Sequence, residues 1–428
     1  MPHYGVIADD LTGAMDAGVQ MLRRAAGVRV SLSETCTFFH PHGICMLTSN
    51  SRNRSPAQAR SAVIGGAEQI RQSSAQLLYK KVDSTLRGNV GAEIEALIAH
   101  CGYEAVLLCP ALPKGGRTTV KGMHYVNGVP LARSDLAKDP LAPVASSDIA
   151  TIVRAQTKLP CALLSLDDVR GGALAARMAE SLASGARILI ADAQTDADLY
   201  ALACALRPFG GRVLAAGSAG LFAYVDRFAD IAPPTAQVAT LSAAAPPVLI
   251  LSGSPAKRNI EQTAHLAQHR PDVLALRPDL SRLSTSAWID EVRHIVHAAQ
   301  QGLGSGRSVL VDAATMEKAA LGRMFAGQPD RLAQGGMDIQ RLLSAAACAA
   351  VAARLPGSLW LLGGDSAWGV LCALGAESLE LVEEPLPLIP LARICGGAAD
   401  GLCVLTKAGG FGEPDALIRL FHNDDRKG

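Results

Sequence analysis

GVIADDLTGAMDAG, residues 5–18, runs from an apolar strand into a helix through two adjacent carboxylates. Val6-Ile7-Ala8 reads as strand; Asp9 and Asp10 end it; Ala14, Ala17, Val19 and Leu22 recur at helical spacing. A strand that breaks into a helix through a short polar turn places that turn at the carboxyl edge of a parallel sheet. Ligands of open α/β sheets bind at that edge. Asp9, Asp10 and Thr12 suit a polyhydroxylated ligand or a proton-transfer role. A competing role for one of the aspartates is to cap the helix. Haloacid-dehalogenase-type phosphatases also end their first strand in an Asp-x-Asp-x-Thr signature. Aligning Thr12 with that threonine puts Ala8 at the nucleophile position, and a methyl group cannot be phosphorylated.

The same rhythm continues. VRVSL (28–32) and GICMLTS (43–49) read as strands, and the second runs into Asn50–Pro56 and a helix over 57–72. Arg52 therefore lies just past a strand end, as Asp10 does, where a guanidinium can hold a carboxylate or phosphate by two hydrogen bonds. The strand predicted over 77–82 leads into Asp83-Ser84-Thr85-Leu86-Arg87-Gly88-Asn89, then a helix from about Val90. Ordinary turns use Gly, Pro, Asn and Ser; Lys80, Lys81 and Arg87 around Asp83 mark a ligand site instead. Residues 111–147 show no clear periodicity and read as a functional loop or flap. Strand–helix pairs then resume at 161–166, 187–192 and 213–217. The fold class is α/β, with strands and helices alternating as in a parallel, doubly wound sheet.

Residues 232–247, APPTAQVATLSAAAPP, carry no charge and read as a linker between residues 1–231 and a second domain, 248–428. That domain has three turns of small residues at strand ends: Ser252-Gly253-Ser254, Gly363-Gly364-Asp365-Ser366 and Gly409-Gly410-Phe411-Gly412. Backbone N–H groups at such turns can face an anion. None has P-loop or dinucleotide-fingerprint form. Gly302–Gly306 precedes a strand and reads as plain loop.

Composition sets limits. The 40 basic and 39 acidic residues leave a net charge of +1, so no broad field attracts nucleic acid or an anionic membrane. Ten cysteines form no Cys-x-x-Cys, and ten histidines offer no metal signature. With no leader or long apolar span, this predicts a cytoplasmic protein.

ADDLTGA, KKVDSTLRGN, SGSPAKRNIEQ, GGDSAWGV and KAGGFGEPDAL stand in the order and spacing of the four-carbon acid sugar kinases, which the chain resembles over essentially its whole length. The resemblance implies an acid-sugar domain, an ATP domain and phosphoryl transfer to a terminal hydroxyl across the cleft between them. It implies substrate contacts by Asp10, Arg52, Lys81, Val82, Asp83 and Ser84. It also implies nucleotide contacts by Ser254, Gly363, Gly364, Asp365, Ser366 and Gly409, with Gly410 beside it. Many members read GGETSG and KSGNFG where this chain has GGDSAW and KAGGFG. Members acting on 3-oxo-tetronate carry a stretch close to CSTFDS, so KKVDSTLRGN favours the threonate or erythronate branch.

The expected activity is ATP- and Mg2+-dependent phosphorylation of O4 of a four-carbon aldonate, D-threonate first, then D-erythronate or 3-oxo-tetronate. Arg52 and Lys81 would hold the carboxylate. Asp10 and Asp83 are the catalytic candidates, with Asp10 favoured as base because Asp9 alone stands beside it in sequence, whereas Asp83 has cations close by. No protein metal ligand is assigned. The partners expected are a small acid sugar and ATP, without nucleic acid or membrane, with a homo-oligomer left open. A non-catalytic sugar-acid sensor using nucleotide as effector is the alternative; a lyase or dehydrogenase lacks any cofactor fingerprint.

Overall fold

Strand β1 (His3–Ala8) is flanked on both sides by strands that arrive later in the chain. The structure, a computed structural model, describes residues 3–22, 24–25, 27–32, 43–134, 144–231, 243, 245–314 and 329–425. The chain divides into two units, Met1–Ala236 and Gln237–Gly428. Most of the predicted linker, 232–242 and 244, lies outside the described residues.

The first unit runs β1, α1 (Leu11–Val19), β2 (Val28–Ser31), β3 (Ile44–Thr48), α2 (Pro56–Gln72), β4 (Ala75–Lys81), α3 (Val90–Cys101) and β5 (Ala105–Cys109). After a short meander, β6 (Arg117–Val120), β7 (Met123–Val126) and β8 (Val129–Pro130), it continues with α4 (Ile149–Arg154), β9 (Cys161–Leu164), α5 (Leu166–Arg170) and α6 (Leu174–Ala183). β10 (Ile188–Ala191), α7 (Asp196–Leu206), β11 (Val213–Gly217) and α8 (Ala219–Phe222) close it. The main sheet has the order β2-β3-β1-β4-β11-β5-β10-β9, every pair parallel. Its strands are near-continuous apolar runs because helices cover both faces. Ile7, Leu47, Val63, Ile70, Ile94 and Leu97 pack one face under α2 and α3, while α1 packs against α8. The chain leaves β1 towards β2 and later returns past it to β4, so the strand order reverses around β1. A crevice at the carboxyl ends of such strands is the general ligand position of the fold.

The segment predicted as structureless, 111–147, contains the antiparallel meander β6-β7-β8. Two-residue turns connect its strands. Lys121-Gly122 and Asn127-Gly128 all have positive φ, the geometry that matches hairpin twist and makes Asn-Gly a strong hairpin signal. The strands are too short to show a two-residue period, which is why the turns outweigh the pattern. Residues 135–143 of that segment lie outside the described residues.

The second unit runs β12 (Val248–Ser252), α9 (Lys257–His269), β13 (Leu274–Leu276), α10 (Trp288–Gly304), β14 (Val309–Asp312), α11 (Pro329–Ala352), β15 (Ser358–Leu362) and α12 (Gly364–Ala373). It ends in β16 (Ser378–Leu386), β17 (Ile389–Cys395), β18 (Cys403–Lys407) and α13 (Ala416–Asp425). The order is β13-β14-β12-β15-β18-β17-β16. The first five strands are parallel, and β17 runs antiparallel to both neighbours. Gly302–Gly306 is not the plain loop predicted, since α10 extends through Gly304. A side chain at Gly302 would start 2.8 Å from both Leu274 Cδ2 and Val309 Cγ2, so the glycine there serves close helix–strand packing. Among the described residues, no helix is long and apolar enough to cross a membrane.

Candidate active site

Three adjacent strands, β3, β1 and β4, deliver their carboxyl ends to one place. Asp10 has extended backbone and caps α1, its Oδ1 accepting from Gly13 N at 2.8 Å. Thr12 Oγ1 donates to the other oxygen, Oδ2, at 2.7 Å. Beyond β3, the amides of Ser51 and Arg52 donate to the Asp9 carbonyl at 3.0 and 3.3 Å, which turns the Arg52 side chain back over β1. Its guanidinium donates from Nε to Asp9 Oδ2 at 2.8 Å and from Nη1 to Asp10 Oδ2 at 2.5 Å, with Nη2 3.7 Å from Asp83 Oδ1. One arginine thus joins three carboxylates from two strand ends. Gly88, at φ 87°, lets the following turn lie against it, since a Cβ there would stand 3.0 Å from the Arg52 carbonyl oxygen.

Asp83 is the second anchor. Arg87 grips it with Nε at 2.7 Å and Nη2 at 3.0 Å, and Thr85 Oγ1 donates to it as well. Burial alone would push the Asp83 carboxyl up, but Arg87 and Arg52 outweigh it and hold it well below the usual carboxylate range. Asp9 follows the same logic: burial raises it, and Arg52, then Lys81 and Lys80, bring the net below normal. For Arg52, burial works against the charge, and Asp10, Asp9 and Asp83 more than restore it. Asp9, Asp83 and Arg52 are therefore ionised throughout the neutral range.

Strand alternation sends the two lysines of β4 to opposite faces. Lys80 points under α3 and pairs with Glu93 at 2.7 Å, and Glu93 also accepts from Ser51 Oγ at 2.5 Å. Lys81 turns towards α1, where its Nζ donates to the Val82 carbonyl at 2.9 Å. A Cβ on Gly13 would lie 2.7 Å from that Nζ and 2.6 Å from Asp10 Oδ1, so only glycine lets the ammonium approach the helix start. Ser84 offers its carbonyl to His124 Nε2 at 2.7 Å, and Thr119 Oγ1 stands 3.0 Å from Nδ1. The ring is neutral, Nε2 donating and Nδ1 accepting from the hydroxyl, because burial lowers its pKa to about 4. The meander is thereby fastened to the Asp83–Ser84 turn.

The structure thus brings Asp10, Arg52, Lys81, Val82, Asp83 and Ser84 to one strand-end site. It also corrects a premise of the base assignment: Asp10 does not have Asp9 alone beside it, because Arg52 reaches it from another strand end. From the sequence, Asp9 and Arg87 count among the polar groups of the site without a substrate contact of their own, and Glu93 and His124 are not singled out. Arg87 and Asp9 were visible as polar density at strand ends. Lys80, expected with Lys81 and Arg87 at the ligand site, points away from it to Glu93 instead; a lysine inside a buried strand needs such an acid.

In the second unit the three small-residue turns interlock around Ser254. A Cβ on Gly253 would overlap Ser366 Oγ. One on Gly409 would stand 2.9 Å from Ser254 Cβ, and one on Gly363 3.1 Å from the same atom. Gly363 N donates to the Lys407 carbonyl at 2.9 Å, joining the second turn to the third. Asn259 Nδ2 spans Ser252 Oγ and the Ser254 carbonyl at 2.9 and 3.0 Å. Helix α12 begins at Gly364, so Gly364, Asp365 and Ser366 form its first turn and sit at the positive end of its dipole. Helix α9 begins two residues later than Pro255, at Lys257. Gly363 and Gly409 both lie against Ser254, and Ser366 lies against Gly253; Gly410 follows Gly409 in the same turn.

Residues 4–225 match the family described as a sugar-binding N-terminal domain, and residues 249–417 match a nucleotide-binding C-terminal domain. A D-threonate kinase of Bordetella bronchiseptica is 36% identical, over 98% of this chain and 96% of that one. A D-threonate kinase of Salmonella typhimurium is 34% identical, over 96% of each. A solved structure from Salmonella typhimurium LT2, described as a putative tRNA synthase, has a TM-score of 0.79 at 22% identity and covers 98% of both chains, which shows a shared fold. With both domain matches and full-length relatives above 30% identity, the chain belongs to the four-carbon acid sugar kinase family.

Proposed function

We propose that the protein is an ATP-dependent kinase that transfers the γ-phosphoryl group to O4 of a four-carbon aldonate, D-threonate first. In this reading residues 1–231 bind the acid sugar, 248–428 bind the nucleotide, and 232–247 link them. The observation that carries it is the strand-end cluster in which Arg52 joins Asp9, Asp10 and Asp83 beside Lys81. Alternating fixed cations and carboxylates suit a ligand that is a carboxylate at one end and hydroxyls along the rest. The names of the two family relatives support D-threonate.

Arg52 and Lys81 take the substrate carboxylate in this reading. Asp83, held anionic by Arg87, accepts hydroxyl hydrogens, and Asp10 accepts the O4 proton as O4 bonds to the γ-phosphorus and ADP departs. Phosphoryl transfer needs positioning and charge neutralisation more than covalent chemistry. The interlocked turns supply backbone donors for the phosphates. Mg2+ belongs to the reading as companion of the phosphates, a setting in which it keeps several waters and few protein ligands. The nine described cysteines are free thiols, which supports a reducing, cytoplasmic setting. The test is incubation with ATP-Mg2+ and a panel of four-carbon acids, reading ADP and the product's mass. ADP release with D-threonate, yielding a 4-phosphate, is expected; no turnover with any four-carbon acid would sink the reading.

A further inference from the structure

Lys407, the last residue of β18, is fully buried. Its Nζ donates to the Ala408 carbonyl at 3.2 Å and the Phe411 carbonyl at 3.5 Å, both in the turn that the strand enters. Gln262 Nε2 shares the Phe411 carbonyl at 3.1 Å and also takes that of Glu413 at 2.8 Å. Among the described residues no carboxylate pairs with this ammonium. The charged group that acts on it is Arg258 on α9, a like charge whose own partner is Glu261 at 3.1 Å. From β15 its register neighbour is Leu362, which is apolar. A buried cation without an anion is costly unless one is supplied.

The place is informative. The Lys407 carbonyl holds Gly363, and Gly409 two residues on lies against Ser254, so the lysine sits beneath the junction of all three turns. Its ammonium gathers two turn carbonyls inward. Carbonyls drawn inward leave the opposite side of the turn for backbone N–H groups, the arrangement of an anion-binding concavity. We propose that Lys407 is a positioning residue and charge partner for the nucleotide's phosphates, shaping the 408–411 turn from beneath and neutralised by the incoming anion. This deepens the reading of the second unit as the nucleotide site and rests on it.

A measurable consequence separates this role from a merely structural one. Burial, assisted by Arg258, lowers the Lys407 pKa to about 7 in the ligand-free chain. Arriving phosphates favour the ammonium, so nucleotide binding just above neutrality takes up a proton. Isothermal titration of the full chain with ATP-Mg2+ at pH 7.5, in buffers of differing ionisation enthalpy, reads that proton directly. Wild type should take up roughly three-quarters of a proton, the neutral fraction of a group with pKa about 7. Lys407→Met should lose the uptake and bind at least tenfold more weakly. Lys407→Arg, charged at any accessible pH, should bind within a few-fold of wild type with no uptake. If Lys407→Met does not fold, the arginine variant decides. Uptake that persists in either variant, or unweakened binding by Lys407→Met, overturns the proposal alone. No binding by wild type overturns the nucleotide reading and this proposal together.

Discussion

Lys80 and Glu93 form an ion pair at 2.7 Å in which both side chains are almost wholly excluded from solvent. It lies on the face of β4 opposite Lys81, and through Ser51 Oγ it reaches the backbone that carries Arg52. Removing one member of a buried pair strands the other charge, at about 3–5 kcal/mol. Glu93→Gln should therefore lower stability by about that amount, read as a fall in the denaturant midpoint. Replacing both partners, Lys80→Met with Glu93→Leu, should recover much of it. An unchanged midpoint for Glu93→Gln would contradict the pairing.

Arg52 holds Asp9 and Asp10 with two different nitrogens. A lysine has one charged nitrogen and cannot reproduce the fork. Arg52→Lys should raise KM for the acid at least tenfold and leave KM for ATP within a few-fold. Equal rises in both would remove Arg52 from the acid-sugar site.

The two catalytic candidates differ in what holds them. Asp83 has a bidentate arginine and a pKa well below normal, the marks of a poor base but a firm hydroxyl acceptor. Asp10 shares one arginine nitrogen, a hydroxyl and a backbone amide. Asp10→Asn should cost about 10²–10⁴ in kcat, and Asp83→Asn should act mainly through KM. Steady-state kinetics of both variants decide, and the reverse pattern exchanges the roles.

His124 sets an acid limit. Its folded pKa of about 4 lies below the ordinary 6.5 because burial disfavours the imidazolium. Between those values the unfolded chain binds more protons, so stability rises with pH there and is lost as pH falls from 6.5 towards 4. The loss is on the order of 3 kcal/mol. Stability measured across that window should fall less steeply in His124→Asn than in wild type, although the variant starts lower because it gives up the ring's contacts with Ser84 and Thr119.

Gly409 has no room for a methyl group beside Ser254. Gly409→Ala should raise KM for ATP at least tenfold while KM for the acid stays within a few-fold. A change confined to the acid would place this turn outside the nucleotide site.

The strand rhythm and the density of polar groups after β1, β3 and β4 were legible in the sequence because both are local signals. Pairing was not. Arg52 meets Asp10 across 42 residues and Lys80 meets Glu93 across a helix start, and no single-sequence period encodes either. That is why the argument giving Asp10 only Asp9 for company failed. The β16–β17 hairpin has no counterpart in the sequence analysis: Pro385, Pro387 and Pro390 lack the amide that a strand ladder uses, and the structure accommodates them in and between antiparallel strands with a register shift beside Leu386.

The position of β18 also governs when the second unit can come into being. It lies between β15 and β17 in the sheet, yet among the described residues it follows every other strand in sequence. During synthesis, β12 to β15 and the β16–β17 hairpin emerge first and face one another as two open edges. Only when residues 403–407 leave the ribosome can the gap close and Gly409 reach Ser254. A chain stalled before that point would hold exposed sheet edges, a template for aggregation, and no assembled set of glycine turns. Residues 403–407 thus determine whether the strands made before them become a closed sheet or a burden on the cell's chaperones.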